Sequence, residues 1–244
     1  MKLFLDTADV ATIEEAYSTG LIDGLTTNPT LMMKSGEIPD KVYYELKHLG
    51  IKDISMEVVA DTSQAMLEEA SRLIGLFGEC VTIKVPCTPE GLKACREMAN
   101  QNIRVNVTLI FSAAQAILAS KAGATYVSPF VGRVDDNSFD GLALIKEISD
   151  IYEKQFVHET EILSASIRSV KDVSRSFAAG AHICTIPPAI FHKMYKHILT
   201  DKGLELFEKD WQSVQTLANG VLTCLLYTSP SPRDLSTSRM PSSA

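Results

Sequence analysis

The sequence has one tryptophan, no C-x-x-C pair among its five cysteines, and no apolar run near the 18 or so residues that a membrane span needs. The cysteines Cys80, Cys87, Cys95, Cys184 and Cys224 form an odd set without His-rich zinc spacing, so reduced, packed thiols are expected and no metal site. Basic residues are in deficit: 23 Lys and Arg face 30 Asp and Glu, a formal charge of -7. That balance disfavours a broad nucleic-acid or anionic-membrane surface, while leaving room for a small anion at a local cluster. No G-x-G-x-x-G or G-x-x-x-x-G-K-[ST] segment occurs, which argues against dinucleotide and P-loop chemistry. The opening Met1-Lys2-Leu3-Phe4-Leu5-Asp6 lacks the apolar region and cleavage site of a secretory signal, so the expected location is cytoplasmic.

What is present is a globular composition, 244 residues at 45% hydrophobic and 22% charged, suited to one large domain. Short β-branched runs alternate with stretches of helical periodicity, the pattern of a parallel sheet with crossover helices. The expected strands are Lys2-Asp6, Gly24-Asn28, Ile54-Val59, Val81-Val85, Val105-Ile110, Tyr126-Val131, Glu161-Ser166 and Ile183-Ile186. Between them, Val10, Ile13 and Tyr17 share a helical face ending at Gly20, and Met66, Ala70, Leu73, Ile74 and Phe77 another ending at Gly78. Thr88-Pro89, Ser112 and Ser169 read as helix starts. Leu204, Phe207, Trp211 and Val214 place an amphipathic helix after the last strand.

Side-chain parity chooses between an open and a closed sheet. Open parallel sheets are apolar on both faces. Here alternate positions are polar: Asp6; Thr26 and Asn28; Ser55 and Glu57; Thr82 and Lys84; Asn106 and Thr108; Ser128; Ser164 and Ser166. Met56, Val58, Ile83, Val85, Val105, Val107 and Leu109 alternate with them and are expected to face helices. A polar face shared by seven strands predicts an α/β fold, a (β/α)8 TIM barrel with an extra C-terminal amphipathic helix, with its site at the C-terminal mouth. The barrel is expected over residues 1–222. Residues 223–244, rich in Ser, Thr and Pro, resemble an adapter-derived scar and read as a non-native disordered tail, with a genuine linker or regulatory tail as the alternative.

Lys84 lies inside the strand Val81-Thr82-Ile83-Lys84-Val85-Pro86. Burial disfavours an ammonium and favours the neutral amine, the form that attacks a carbonyl to make a Schiff base; a buried ion pair with Glu57 or Asp6 is the competing role. Asp6 and Glu57 stand at strand ends where acid-base groups can reach a substrate, although either can instead cap the next helix. Asn28 and Asn106 can fix a hydroxyl through directional amide bonds, or satisfy backbone and buried polar neighbours. Arg133 and Arg168, with Ser166, suit a phosphate beyond the later strands; a local pair with Asp135 or Asp136 is the competing role of Arg133.

Phe4-Leu5-Asp6-Thr7-Ala8-Asp9, Thr26-Thr27-Asn28-Pro29-Thr30, Ile83-Lys84-Val85-Pro86, Asn106-Val107-Thr108-Leu109-Ile110-Phe111-Ser112, Ser128-Pro129-Phe130-Val131-Gly132-Arg133 and Ala165-Ser166-Ile167-Arg168 together resemble the transaldolase family. The length resembles its short single-barrel subgroup, which also contains the fructose-6-phosphate aldolases. The resemblance implies class I aldol chemistry in the pentose phosphate pathway, with no cofactor and no metal. Lys84 would form the Schiff base with the ketose C2 carbonyl, and Asp6 would take the C4 hydroxyl proton. Glu57, through a water held by Thr108, would move protons during imine formation. Asn28, Asn106, Ser128 and Phe130 would surround the dihydroxyacetone unit, and Arg133, Ser166 and Arg168 would bind phosphate. Similar aldolases carry Gln where this chain has Glu57 and Tyr where it has Phe130, so the resemblance implies transfer between sugar phosphates, ahead of fructose-6-phosphate cleavage with release of free dihydroxyacetone. A non-catalytic sugar-phosphate-binding barrel is the reading from another class. Deoxyribose-phosphate aldolase shares the barrel and lysine chemistry but not the Thr-Thr-Asn-Pro and Ser-Pro-Phe-Val-Gly-Arg segments. The resemblance also implies sugar-phosphate partners and a homo-oligomer, a ring or decamer, while the charge balance and the lack of a long apolar run predict no nucleic-acid or membrane partner.

Overall fold

A computed structural model describes residues 1–228, with side chains through residue 218. The chain falls into two compact units, residues 1–194 and residues from 195 onward. In the first, parallel strands and helices alternate: β1 (Lys2–Asp6), α1 (Val10–Ser18), β2 (Gly24–Thr26), α2 (Pro29–Ser35), α3 (Pro39–His48), β3 (Ile54–Glu57), α4 (Ser63–Phe77), β4 (Val81–Pro86) and α5 (Pro89–Asn100). They continue as β5 (Val105–Ile110), α6 (Ala113–Lys121), β6 (Tyr126–Pro129), α7 (Val131–Asp136), α8 (Gly141–Lys154), β7 (Glu161–Ser164), α9 (Val170–Ala178), β8 (Ile183–Ile186) and α10 (Pro188–Met194). Every strand pairs with its sequence neighbour and β8 returns to β1, closing an eight-stranded (β/α)8 barrel.

Local chemistry sets the helix starts. Asp9, Thr62, Thr88, Ser112 and Ser169 each accept a hydrogen bond from a backbone N–H in the first turn, satisfying a donor the helix itself cannot pair. Asp9 caps α1, so Asp6 is free of that duty. The core between strands and helices is built from outward strand residues such as Leu5, Leu25, Met56, Ile83, Val85, Val107 and Ile186 against Ile13, Leu46, Met66, Phe77, Met98 and Ile148. Full burial of one such side chain contributes ~1.5–3 kcal/mol.

Below the mouth, the lumen is filled. Phe4, Tyr126, Leu163, Ala165 and Ile183 form a separate interior cluster. Beneath β3, the Asp53 carboxylate accepts from Thr82 Oγ1 (2.7 Å), Tyr126 Oη (2.6 Å) and Arg104 Nη1 (2.8 Å). Three donors, one of them cationic, satisfy a carboxylate that is only 6% exposed. This closes the N-terminal end.

Two strand residues depart from simple alternation. Ser164 does not face the lumen: its Oγ lies 2.9 Å from Ser176 Oγ of α9, while Leu163 and Ala165 point inward. Sequence alternation cannot fix the absolute face of a four-residue strand bounded by polar residues on both sides. Leu109 is not an ordinary helix-facing position either. The β5–β6 register shifts between Val107 and Ile110, and Leu109 sits half-buried at φ 59°, a left-handed conformation unusual for leucine. Strands β2, β3, β6 and β7 end earlier than expected, and Val131 begins α7.

The second unit contains α11 (Ile198–Thr228). Leu204, Phe207, Trp211 and Val214 follow its period and are exposed. The helix passes residue 222, where structure was expected to end; Val221-Leu222-Thr223-Cys224-Leu225-Leu226 contains no breaker, and the first proline is Pro230. The rest of the expected tail, 229–244, lies outside the described residues. Among the described residues, no helix is long and apolar enough to cross a membrane.

Candidate active site

At the C-terminal mouth, a cleft of about 100 Å³ is lined by Asp6, Asn28, Lys84, Thr108, Ser128, Phe130, Arg133 and Ser166 among those expected, together with Thr26 and Thr185. A larger cavity of about 850 Å³ lies between α6 and α8 near the starts of β6 and β7, but its Lys121, Gln155, His158 and Glu159 are all exposed, whereas Lys84, Thr108 and Ser128 of the mouth are buried. The chemistry points to the mouth.

Lys84 is 5% exposed at the centre of β4. Its Nζ lies 2.9 Å from Glu57 Oε2 and donates to the Thr27 carbonyl at 3.0 Å. The β3–β4 register pairs Glu57 directly with Lys84, which makes their side chains adjacent on the inner face. Of the two roles weighed for Lys84, the ion pair is present, with Glu57 as its partner, on a lysine buried in the lumen.

Asp6 ends β1, in register with Thr26 on β2. Thr26 Oγ1 donates to Asp6 Oδ1 at 2.8 Å. Burial pushes the Asp6 carboxyl above its ordinary value; the Thr26 hydrogen bond and then the Lys84 charge oppose that rise, and the Glu57 charge adds to it.

The two asparagines combine structural and site-facing roles. Asn28 Oδ1 caps α2 by accepting from Leu31 N at 3.0 Å, leaving the amide NH₂ toward the cleft that Asn28 lines. Asn106 is completely buried; its Oδ1 accepts from Ser128 Oγ at 2.6 Å and its Nδ2 donates to Ser55 Oγ at 3.2 Å. Those bonds fix which way the amide points. Thr108 Oγ1 is buried without a partner among the described residues and lines the same cleft. A buried hydroxyl left unpaired costs ~1–3 kcal/mol, so this one is available to an oxygen entering the cleft.

At the rim, Phe130 stacks under the Arg133 guanidinium, 4.9 Å from the ring centroid, and Arg133 forms no ion pair among the described residues. Arg168, not Arg133, takes the nearby acid: its Nη2 lies 2.7 Å from Asp136 Oδ2, with both side chains more than half exposed. Arg168 stands outside the cleft lining, and Ser166 reaches it through a left-handed φ of 62°. The start of α7 is clasped to this segment by Val131 N to Ala165 O (3.0 Å) and Gly132 N to Ser166 O (3.1 Å). A Cβ at Gly132 would stand 2.1 Å from Ser166 O, so only glycine permits the approach that brings Arg133 and Ser166 together.

Thr26 and Thr185 line the cleft although neither was singled out as a site residue. Thr26 was visible as an inward polar position opposite Asp6. Thr185 was the polar residue of β8, in the same inward phase as Ile183, and parity on that strand would have found it. Among the described residues, no three His, Cys, Asp or Glu side chains group to hold a metal.

A family model described as Transaldolase/Fructose-6-phosphate aldolase matches residues 3–218. A probable transaldolase of Caulobacter vibrioides (strain NA1000 / CB15N) is 50% identical over 213 residues, covering 87% of this chain and 97% of that protein. Another, from Caulobacter sp. (strain K31), is 51% identical over 211 residues, covering 86% and 96%. One from Nitrosopumilus maritimus (strain SCM1) is 47% identical over 216 residues, covering 88% and 96%. The fold alone is shared with a solved cube-shaped, highly porous protein cage designed by fusing symmetric oligomeric domains: TM-score 0.56 at 13% identity, over 93% of this chain and 83% of that one. Because the matched segment runs from Leu3 in β1 past the end of β8, with the lysine-centred lumen inside it, the chain belongs to the transaldolase/fructose-6-phosphate aldolase family.

Proposed function

We propose that this enzyme is a transaldolase, moving a dihydroxyacetone unit from a ketose phosphate (sedoheptulose 7-phosphate or fructose 6-phosphate) to an aldose phosphate (glyceraldehyde 3-phosphate or erythrose 4-phosphate). The observation that carries the reading is a lysine buried in the mouth of the barrel with Glu57 in direct contact and the Asp6 carboxylate nearby. In this mechanism Glu57 accepts a proton from Lys84, and the freed amine attacks the ketose C2 carbonyl. The carbinolamine loses water, with Glu57 supplying the proton and the unpartnered Thr108 hydroxyl binding the departing oxygen. Asp6, oriented by Thr26, takes the C4 hydroxyl proton as the C3–C4 bond breaks. The first aldose leaves, the enamine carbon adds to the acceptor aldehyde, and Asp6 returns the proton to the new hydroxyl. Hydrolysis of the imine releases the new ketose and restores Lys84.

Asn28, Asn106 and Ser128 hold the three-carbon unit, and the rim groups Arg133, Ser166 and Arg168 bind the phosphate. Phe130 faces the cleft without a hydroxyl, leaving Glu57 as the main proton group beside the imine, which favours transfer over hydrolytic release. Fructose 6-phosphate plus borohydride, followed by peptide mapping, should leave a three-carbon adduct on Lys84; no adduct in folded protein would return the chain to the sugar-phosphate-binding reading. E57Q together with F130Y should raise dihydroxyacetone release relative to transfer, and an unchanged ratio would place the control of reaction type elsewhere.

A further inference from the structure

β1 is flanked by β2 on one side and β8 on the other, so the strand carrying Asp6 has an inward threonine on each side. Thr26 is in register with Asp6, whereas Thr185 is in register with Phe4, one inward layer lower. Thr185 Oγ1 lies 2.6 Å from Thr26 Oγ1, and both residues are buried. Thr26 owns one hydroxyl proton and gives it to Asp6. The short contact to Thr185 must then run the other way, with Thr185 donating to Thr26.

We propose that Thr185 is a positioning residue for Asp6: by donating to Thr26 it commits the only Thr26 proton to the Asp6 carboxylate and completes a chain pointed from β8 through β2 to β1. The inference rests on the proposed role of Asp6 in moving the C4 hydroxyl proton. Hydrogen bonds in series polarise one another, so a carboxylate at the end of two aligned hydroxyls is better stabilised than one facing a single free rotor. The charged groups facing Asp6 are Lys84 on β4 and Glu57 on β3, and neither is altered by changing Thr185.

The test is a titration of the Asp6 carboxyl by carbon-13 NMR, with the resonance assigned through D6N, alongside the acid limb of the kcat/KM profile. In T185V, and in T185A as a second removal of the hydroxyl, both midpoints should move upward by about half a pH unit. T185S should restore them, and T185V should add nothing in a T26V background. No upward shift in either hydroxyl-lacking variant, or an equal shift when Thr26 is already gone, would overturn the proposal. Because the NMR midpoint is read without turnover, failure of the transaldolase reading appears separately, as a Thr185-dependent titration in a protein that forms no lysine adduct.

Discussion

Replacing Glu57 by glutamine should destabilise the barrel by about 3 kcal/mol at pH 7. At 2.9 Å the Lys84–Glu57 attraction is about 6 kcal/mol with an effective dielectric near 20, most of it offset by taking both charges out of water. Glutamine removes the nearest anion from an ammonium whose side chain is only 6% exposed, and removals of that kind cost ~3–5 kcal/mol. The Thr27 carbonyl and the Asp6 charge remain, which places this site at the low end. Urea denaturation of wild type, E57Q, K84M and the double variant at pH 7 measures this, with an expected coupling of about 2 kcal/mol or more. An E57Q loss under about 1 kcal/mol, or a coupling under about 0.5 kcal/mol, would show that the pair contributes little to the fold.

D6N should abolish turnover yet raise Tm at pH 7, because burial holds the Asp6 carboxyl above its ordinary 3.8 and the fold resists the charged form. That penalty is absent below the unfolded value, grows as pH rises from the unfolded value towards the raised native value, and is constant above it; a Tm gain as large at pH 4 as at pH 7 would contradict this. R168A should raise KM for phosphorylated sugars about tenfold while leaving unphosphorylated acceptors nearly unchanged, one charge-assisted contact being worth ~1.5 kcal/mol. D136N, by releasing Arg168 from its exposed partner, should lower the same KM a fewfold; equal effects on both acceptor classes would place the phosphate elsewhere. G132A should raise KM for phosphorylated sugars and lower Tm, since its Cβ would collide with Ser166 O; wild-type kinetics would show that the clasp is unimportant to the rim.

The eight-strand order and most of the inner face were legible because period-2 alternation places Glu57, Lys84, Asn106 and Thr108 inward whatever the loops do. Parity stopped working where the backbone stops being a regular strand. Ser164 turned to α9, and Ser166 entered the cleft only through its positive φ, which no alternation rule anticipates. The Arg168–Asp136 pair was missed because the two residues are 32 positions apart and are brought together by the approach of α7 to the segment after β7. Asn28 shows why one residue type can support two readings: its oxygen caps a helix while its NH₂ remains for the site.

The carboxylate of Asp53, saturated by Thr82, Tyr126 and Arg104, makes the barrel a cul-de-sac. For a transfer reaction on Lys84, one doorway must serve the arriving ketose, the departing aldose, the acceptor and the finished product in turn. The acceptor can be seated only after the first aldose has vacated the rim, so the two aldoses compete for one berth and an excess of either should slow the exchange of the other. Traffic through the mouth, rather than recognition at a second entrance, then sets the order in which carbon skeletons are taken apart and rebuilt.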